Sequence, residues 1–226
     1  MAGTTGAGKS ELLTSWLLQL ALALPPQRLS FVLVDYKGGA AFGALTDLPH
    51  TAGLLTDLDP ALTTRALTSL EAEVGRRERL LAEYGAKDLS CLEAGAAPAR
   101  LVIAVDEFAA LASAHPEVLE GLMRVAAQGR SLGIHLILAT QRPAGAVSPA
   151  IRANTAVRVC LRVLDAADSV DVVGCDEAAR LGPRPGRLVV RGVEGAEHVA
   201  LQAPWCGDGA RVAGVVAELG AAWART

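Results

Sequence analysis

Hydrophobic positions along the chain alternate between helical and strand-like spacing. From Ser10 to Leu24, Leu13, Trp16, Leu17, Leu20 and Leu24 recur at helical intervals, and Pro25-Pro26 closes the run. Phe31–Val34 is a short apolar run that ends at Asp35 and is followed by Gly38 and Gly39, as expected of a buried strand entering a loop. Asp59-Pro60 has the cap and first-turn proline of a helix start. Beyond it Leu62, Ala66, Leu70 and Val74 step by four, Glu71, Arg76, Arg77 and Glu78 take the other faces, and Gly85 marks the end. This predicts a long amphipathic helix with a solvated side. Leu101–Val105 and Ile134–Ala139 are continuous apolar runs separated by a helical pattern after Pro116, so the order strand, helix, strand repeats. In the last strong strand Val157, Val159, Leu161 and Val163 alternate with Arg158, Cys160 and Arg162, which predicts one apolar face and one charged face near a rim or an interface. Leu188–Val190 and His198–Leu201 are shorter strand candidates around a turn at Glu194-Gly195, and Val212–Trp223 is a weak terminal helix.

This alternation predicts an α/β fold, and composition narrows it. The chain has 226 residues, 51% of them hydrophobic but only 4% aromatic. A core of Ala, Val, Leu and Ile suits a mostly parallel sheet with helices on both faces. Neither a repeat, a low-complexity tract nor a long linker divides the chain, so one domain over residues 1–226 is expected. The net charge of -3 argues against a free-standing nucleic-acid-binding module. Cys91, Cys160, Cys175 and Cys206 lack metal-ligand spacing and read as reduced, mostly buried thiols of a cytoplasmic protein. The apolar stretch Leu12–Leu24 is too short and too interrupted to span a membrane, and no signal peptide precedes it. His50, His115, His135 and His198 share no spacing and read as structural.

Two motifs carry chemistry. Gly3-Thr4-Thr5-Gly6-Ala7-Gly8-Lys9-Ser10 fits the phosphate-binding loop G-x-x-x-x-G-K-[ST] in full, directly before a predicted helix. Its glycines allow backbone N–H groups to face phosphate, Lys9 would reach the β and γ oxygens of ATP, and the Ser10 hydroxyl would bind Mg2+. Independently, the apolar run from Leu101 ends in Asp106-Glu107. Beside a phosphate loop, Asp106 would hold Mg2+ and Glu107 would orient and activate the attacking water; alone, two such acids also fit a solvated turn. Gln141, after the strand ending at Ala139, is the candidate sensor of the γ-phosphate, although a loop-capping role is open to it. Arg130 is the candidate arginine finger for a neighbour's ATP, and it also fits an exposed helix-end arginine favoured by the dipole. Lys37 could touch nucleotide, substrate or only Asp35.

The order of these motifs resembles the FtsK/SpoIIIE translocase family. The likeness lies in Ala2–Leu13, Val34–Phe42, Val105–Phe108, Gly129–Pro143 and Ile151–Ser169, within roughly the first 190 residues. The Tyr36–Phe42 loop and Leu48-Pro49-His50-Thr51 look closer to the EccC-like, type VII secretion branch or a related actinobacterial branch than to the division-site DNA pumps. The resemblance implies a RecA-like, additional-strand P-loop ATPase that works as a hexameric ring and moves a secreted protein or double-stranded DNA. It puts Arg130 at the finger position and Gln141 at the sensor. Contact with a membrane would come only through regions outside this chain. The phosphate loop begins at residue 3, so the strand that should deliver it is expected to be missing from this chain; its place in such a sheet is between the strands near Ile134–Ala139 and Val157–Val163. A nucleotide-binding regulatory or partner-binding module without hydrolysis is the alternative that this absence leaves open.

Overall fold

A computed structural model describes residues 1–36, 41–56, 60–93, 95–145, 148–193 and 197–224. Lys37 and the Glu194-Gly195 turn lie outside the described residues.

Alternating strands and helices build a sheet whose functional edge is set by strand register. Strands β1 (Leu29–Asp35), β2 (Thr51–Thr56), β3 (Arg100–Asp106) and β4 (Ile134–Leu138) are parallel in the order β2-β1-β3-β4. The register pairs Asp35 with Asp106, so two carboxylates stand side by side where β1 and β3 end. In a parallel sheet every such end lies on one edge, which is where open α/β folds place ligands.

Met1–Gly3 occupies the next position. Ala2 bridges in parallel to Thr140 on one side and to Cys160 on the other. Its N–H donates to the Val159 carbonyl at 2.8 Å, and its carbonyl accepts from the Leu161 N–H at 2.8 Å. This is the place expected for the strand that delivers the phosphate loop, and contrary to expectation it is not empty: Met1–Gly3 takes it through isolated bridges. They join the parallel strands to an antiparallel group in the order β5-β6-β7, formed by β5 (Arg158–Leu161), β6 (Arg187–Arg191) and β7 (Val199–Gln202).

Helices cover both faces, as the composition suggests. On one face α1 (Lys9–Ala23) and α7 (Gly209–Trp223) bring Leu13, Leu17, Val212 and Val216 onto Phe31, Leu33, Val102 and Ala104. On the other, α2 (Pro60–Glu83), α3 (Phe108–Ala114) and α4 (Pro116–Leu132) bring Leu81, Leu111, Leu122 and Val125 onto Val34, Ile103 and Val105. Successive residues of β3 thus serve opposite cores, which is why its sequence is apolar without alternation. Two short helices, α5 (Pro149–Asn154) and α6 (Ala166–Val173), flank β5. Among the described residues no helix is long and apolar enough to cross a membrane.

Three expectations need correction. Strand β5 is not a rim strand with a charged face: Val159, Cys160 and Leu161 are all buried. It lies between Ala2 and β6, with Val172 and Val173 of α6 against Cys160 on one side and Leu12 of α1 against Val159 and Leu161 on the other. Arg158 and Arg162 stand at the strand's two ends, where guanidinium groups reach the margin of the core. The cysteines are all free, but only Cys160 is fully buried and Cys91 is exposed; burial pushes the Cys160 thiol up to about 12. The charged side of α2 is not wholly solvated either. Arg77 is buried and donates to the carbonyls of Leu132 at 2.8 Å and Ala99 at 2.8 Å, while Glu73 accepts from its Nε at 2.7 Å.

Candidate nucleotide-binding site

Helix α1 starts at Lys9 immediately after the phosphate loop, with no side-chain cap at its N terminus. Its first-turn N–H groups therefore face outward toward the loop, adding a partial positive charge to the lysine. Gly8 makes that geometry possible. Its φ of 94° lies in the left-handed region, and a Cβ there would come within 2.7 Å of the Gly186 nitrogen. The loop is anchored from both sides: the Thr4 N–H and hydroxyl both donate to the Arg162 carbonyl at 3.0 Å, and Gly186 N–H donates to the Ala7 carbonyl at 2.8 Å.

Lys9 and Asp106, separated by 97 residues in sequence, form a buried ion pair. An isolated charge of either sign would be costly there, so each is held by the other. Glu107 is the only described non-glycine residue with positive φ, at 59°, where it begins α3. A non-glycine residue in this region is uncommon and is kept by its surroundings. The surroundings are specific: the Thr140 hydroxyl donates to Glu107 Oε1 at 2.8 Å, and the Gln141 N–H lies 3.2 Å from each carboxylate oxygen. Gln141 in turn accepts from the Thr5 hydroxyl through Oε1 at 2.9 Å, tying the end of β4 to the phosphate loop.

Lys9, Ser10, Asp106, Glu107 and Gln141 thus meet at one edge, together with Gly3, Thr4, Thr5, Gly6, Ala7 and Gly8. A cleft of about 590 Å3 opens beside Glu107 and Gln141, with Tyr36, Ser113, Arg142 and Ser148 in its walls. Thr140 was not singled out by sequence reasoning. The only signal for it is its place one residue before Gln141 in a buried strand's end. Arg130 is not part of this cluster. It is exposed in the last turn of α4, at the opposite end of β4 from Gln141, a strand length of about 16 Å away. Two of the four histidines have contacts that fit a structural role. His50 is buried with Nε2 2.8 Å from the Leu24 carbonyl and stacks near Phe31 and Trp223, and His198 Nε2 lies 3.0 Å from the Val173 carbonyl. An apolar cavity of about 570 Å3 under α2 lies away from the phosphate loop.

Comparison with known proteins places this edge in context. The sequence profile of the FtsK/SpoIIIE family matches residues 1–103 and 92–145. The type VII secretion system protein EssC of Staphylococcus aureus is 39% identical over 214 residues, 92% of this chain and 14% of EssC. The chain therefore spans about a seventh of that relative. In three dimensions it superposes on the cytoplasmic domain of the Thermomonospora curvata type VII secretion ATPase EccC with a TM-score of 0.87 and 33% identity, covering 97% of this chain and 27% of that one. EccC ATPases 2 and 3 in complex with a signal sequence peptide give 0.83 and 26%, over 98% of this chain and 42% of theirs. The pCW3 conjugation coupling protein TcpA with ATPγS gives 0.80 and 27%, over 96% and 63%.

Proposed function

This chain belongs to the FtsK/SpoIIIE family, and from that premise we propose that it is the ATP-binding and ATP-hydrolysing motor domain of a translocase that works as a homo-oligomeric, hexameric ring. The observation that carries the proposal is the meeting of Lys9, Asp106, Glu107 and Gln141 at one sheet edge beside an uncapped helix N terminus.

The residues divide the work. Backbone N–H groups of Gly3–Ser10 and the start of α1 bind and orient the phosphates, and Lys9 leaves Asp106 to reach the β and γ oxygens. Ser10 and Asp106 would hold Mg2+. The fit is supported by Asp106 itself, whose buried carboxylate already has a cation beside it. Bound there, Mg2+ offsets the charge that builds on the phosphate oxygens. Glu107, aimed by Thr140 and the Gln141 N–H, takes the proton of the attacking water. Gln141 links the end of β4 to Thr5 and so reports the γ-phosphate to the sheet. Arg130 cannot reach its own nucleotide across the sheet, and it serves as the arginine finger of the next subunit.

For the moved polymer, a secreted protein is favoured over double-stranded DNA. EssC and EccC are type VII secretion proteins, one EccC structure holds a signal sequence peptide, and this chain's net charge of -3 offers no basic footprint. The likeness to the conjugation protein TcpA supports DNA as the second reading. The domain acts on the cytoplasmic side, and any membrane contact belongs to regions beyond this chain.

Nucleotide binding and turnover of two variants test the catalytic assignment. Lys9→Ala is expected to abolish ATP binding. Glu107→Gln is expected to keep binding and lose about 10²- to 10⁴-fold in turnover, because only the base is removed. Parental turnover in Glu107→Gln would remove Glu107 from the role of base.

A further inference from the structure

The chain's three tryptophans differ in how they are held. Trp16 packs beside the β5-β6 core, and Trp223 donates its indole N–H to the Ala21 carbonyl at 3.3 Å. Trp205 is 73% exposed, and among the described residues no hydrogen bond or ring contact holds its side chain. A tryptophan is among the most favourable side chains to bury and usually finds a partner for its ring. One left open on a fixed backbone is available to a ligand.

The backbone around Trp205 is fixed to the phosphate loop. Gly186 N–H donates to the Ala7 carbonyl at 2.8 Å, and Ala203 N–H donates to the Gly186 carbonyl at 2.8 Å. Gln202 Nε2 adds a third tie to the Pro185 carbonyl at 3.0 Å. On the far side Asp208 caps α7 by accepting from the Arg211 N–H at 2.9 Å. Trp205 therefore sits two residues beyond a direct chain of hydrogen bonds to the loop that would hold phosphate. Between them is a cleft of about 270 Å3, walled by Ser10, Glu11, Thr14, Phe42, Val212 and Trp205.

We propose that this cleft is the nucleoside site and that Trp205 is the surface on which the purine base lies. The proposal rests on the phosphate-loop reading above. Phosphates bound at Gly6–Ser10 have their α end at the first turn of α1, and the nucleoside attached there leaves along Ser10, Glu11 and Thr14. Those residues form one wall of the cleft and Trp205 another. Stacking on an indole ring recognises the flat face shared by purines, so it strengthens binding of ATP and GTP alike and contributes nothing to a bare polyphosphate.

The test compares ATP, GTP and inorganic tripolyphosphate binding to the parental chain and to Trp205→Ala, Trp205→Phe and Lys9→Ala. Trp205→Ala is expected to weaken ATP and GTP binding about 5- to 100-fold while tripolyphosphate binding is unchanged. Trp205→Phe should recover most of the loss. Unchanged ATP affinity in Trp205→Ala overturns the proposal, as does an equal loss for ATP and tripolyphosphate, since the residue would then act on the loop's structure and not on the base. Tripolyphosphate binding that survives Lys9→Ala would instead sink the phosphate-loop reading, and the base site with it.

Discussion

Glu107 and Arg130 both stand at a helix end marked by a residue in the left-handed region, Glu107 itself in one case and Gly133 in the other, yet their surroundings differ. Glu107 takes that conformation itself and is held by the Thr140 hydroxyl and the Gln141 N–H inside a buried pocket of its own chain. Arg130 lies one helical turn before Gly133, whose φ of 65° ends α4, and its side chain is exposed on the opposite edge of the sheet. The chain supplies a rigid mount for Arg130 too. Arg77 reaches across from α2 to the Leu132 carbonyl, two residues beyond Arg130, and Glu73 holds Arg77. With Glu107 as the proposed base and Arg130 as the proposed finger, a single copy would complete the base side of the site and leave the finger side pointing away from it. A buried acid and an outward arginine are the arrangement that the proposed site shared between neighbouring subunits would need.

The largest effect is expected on the outward side. Arg130→Ala should lower turnover about 10³- to 10⁵-fold, the range for an arginine finger, while ATP affinity stays near parental and the isolated chain keeps its melting temperature. If turnover falls by less than tenfold, Arg130 is a solvated helix-end residue. On the inward side Thr140→Val keeps the volume but removes the donor to Glu107. A hydrogen bond to a charged group carries about 1.5 to 3 kcal/mol, so kcat should drop roughly 10- to 100-fold with KM little changed. An unaltered kcat would mean that the Gln141 N–H alone aims the carboxylate.

The smallest effect concerns the mount of Arg130. Hydrogen bonding from Arg76 lowers the Glu73 pKa from 4.5 to about 2, aided by Arg77 and opposed by partial burial. A depressed carboxylate contributes stability that is present above pH 4.5 and is lost as the pH falls toward 2. Because the pair with Arg76 is solvent-screened, about 1 kcal/mol is expected. Denaturant melts of the parental chain and Glu73→Gln between pH 5 and 2.5 should converge as the pH falls. Parallel curves would show that Glu73 contributes nothing to the clamp.

How far the sequence led depended on whether a residue's neighbours are local. The phosphate loop, the helix after it, and the strands ending at Asp35, Asp106 and Ala139 were legible because their signals lie within a few residues. The sheet edge that gathers Lys9, Asp106 and Gln141 followed from parallel order. Strand β2 was not read: Thr51–Thr56 is interrupted by Gly53 and bounded by threonines, and it pairs only with β1 at the margin of the sheet, so it carries no continuous apolar run. The short helices α3, α5 and α6 span 8 residues or fewer and show too little periodicity. In β5 the Val–Arg alternation misled because burial of Cys160 depends on α6 and on Ala2, both remote in sequence. Thr140 and Trp205 were invisible for the same reason, since the roles proposed for them rest on what the fold brings beside them.

Subunit mixing tests the shared site most directly. Arg130→Ala chains keep Lys9 and lack the finger; Lys9→Ala chains keep the finger and cannot hold ATP. When the two are combined, a neighbour pair can assemble one complete site, so turnover should rise well above either variant alone and fall again on dilution below the concentration of assembly. A mixture no more active than the sum of its parts, together with parental turnover per chain that stays constant from ring to monomer, would contradict a site completed by the neighbouring subunit.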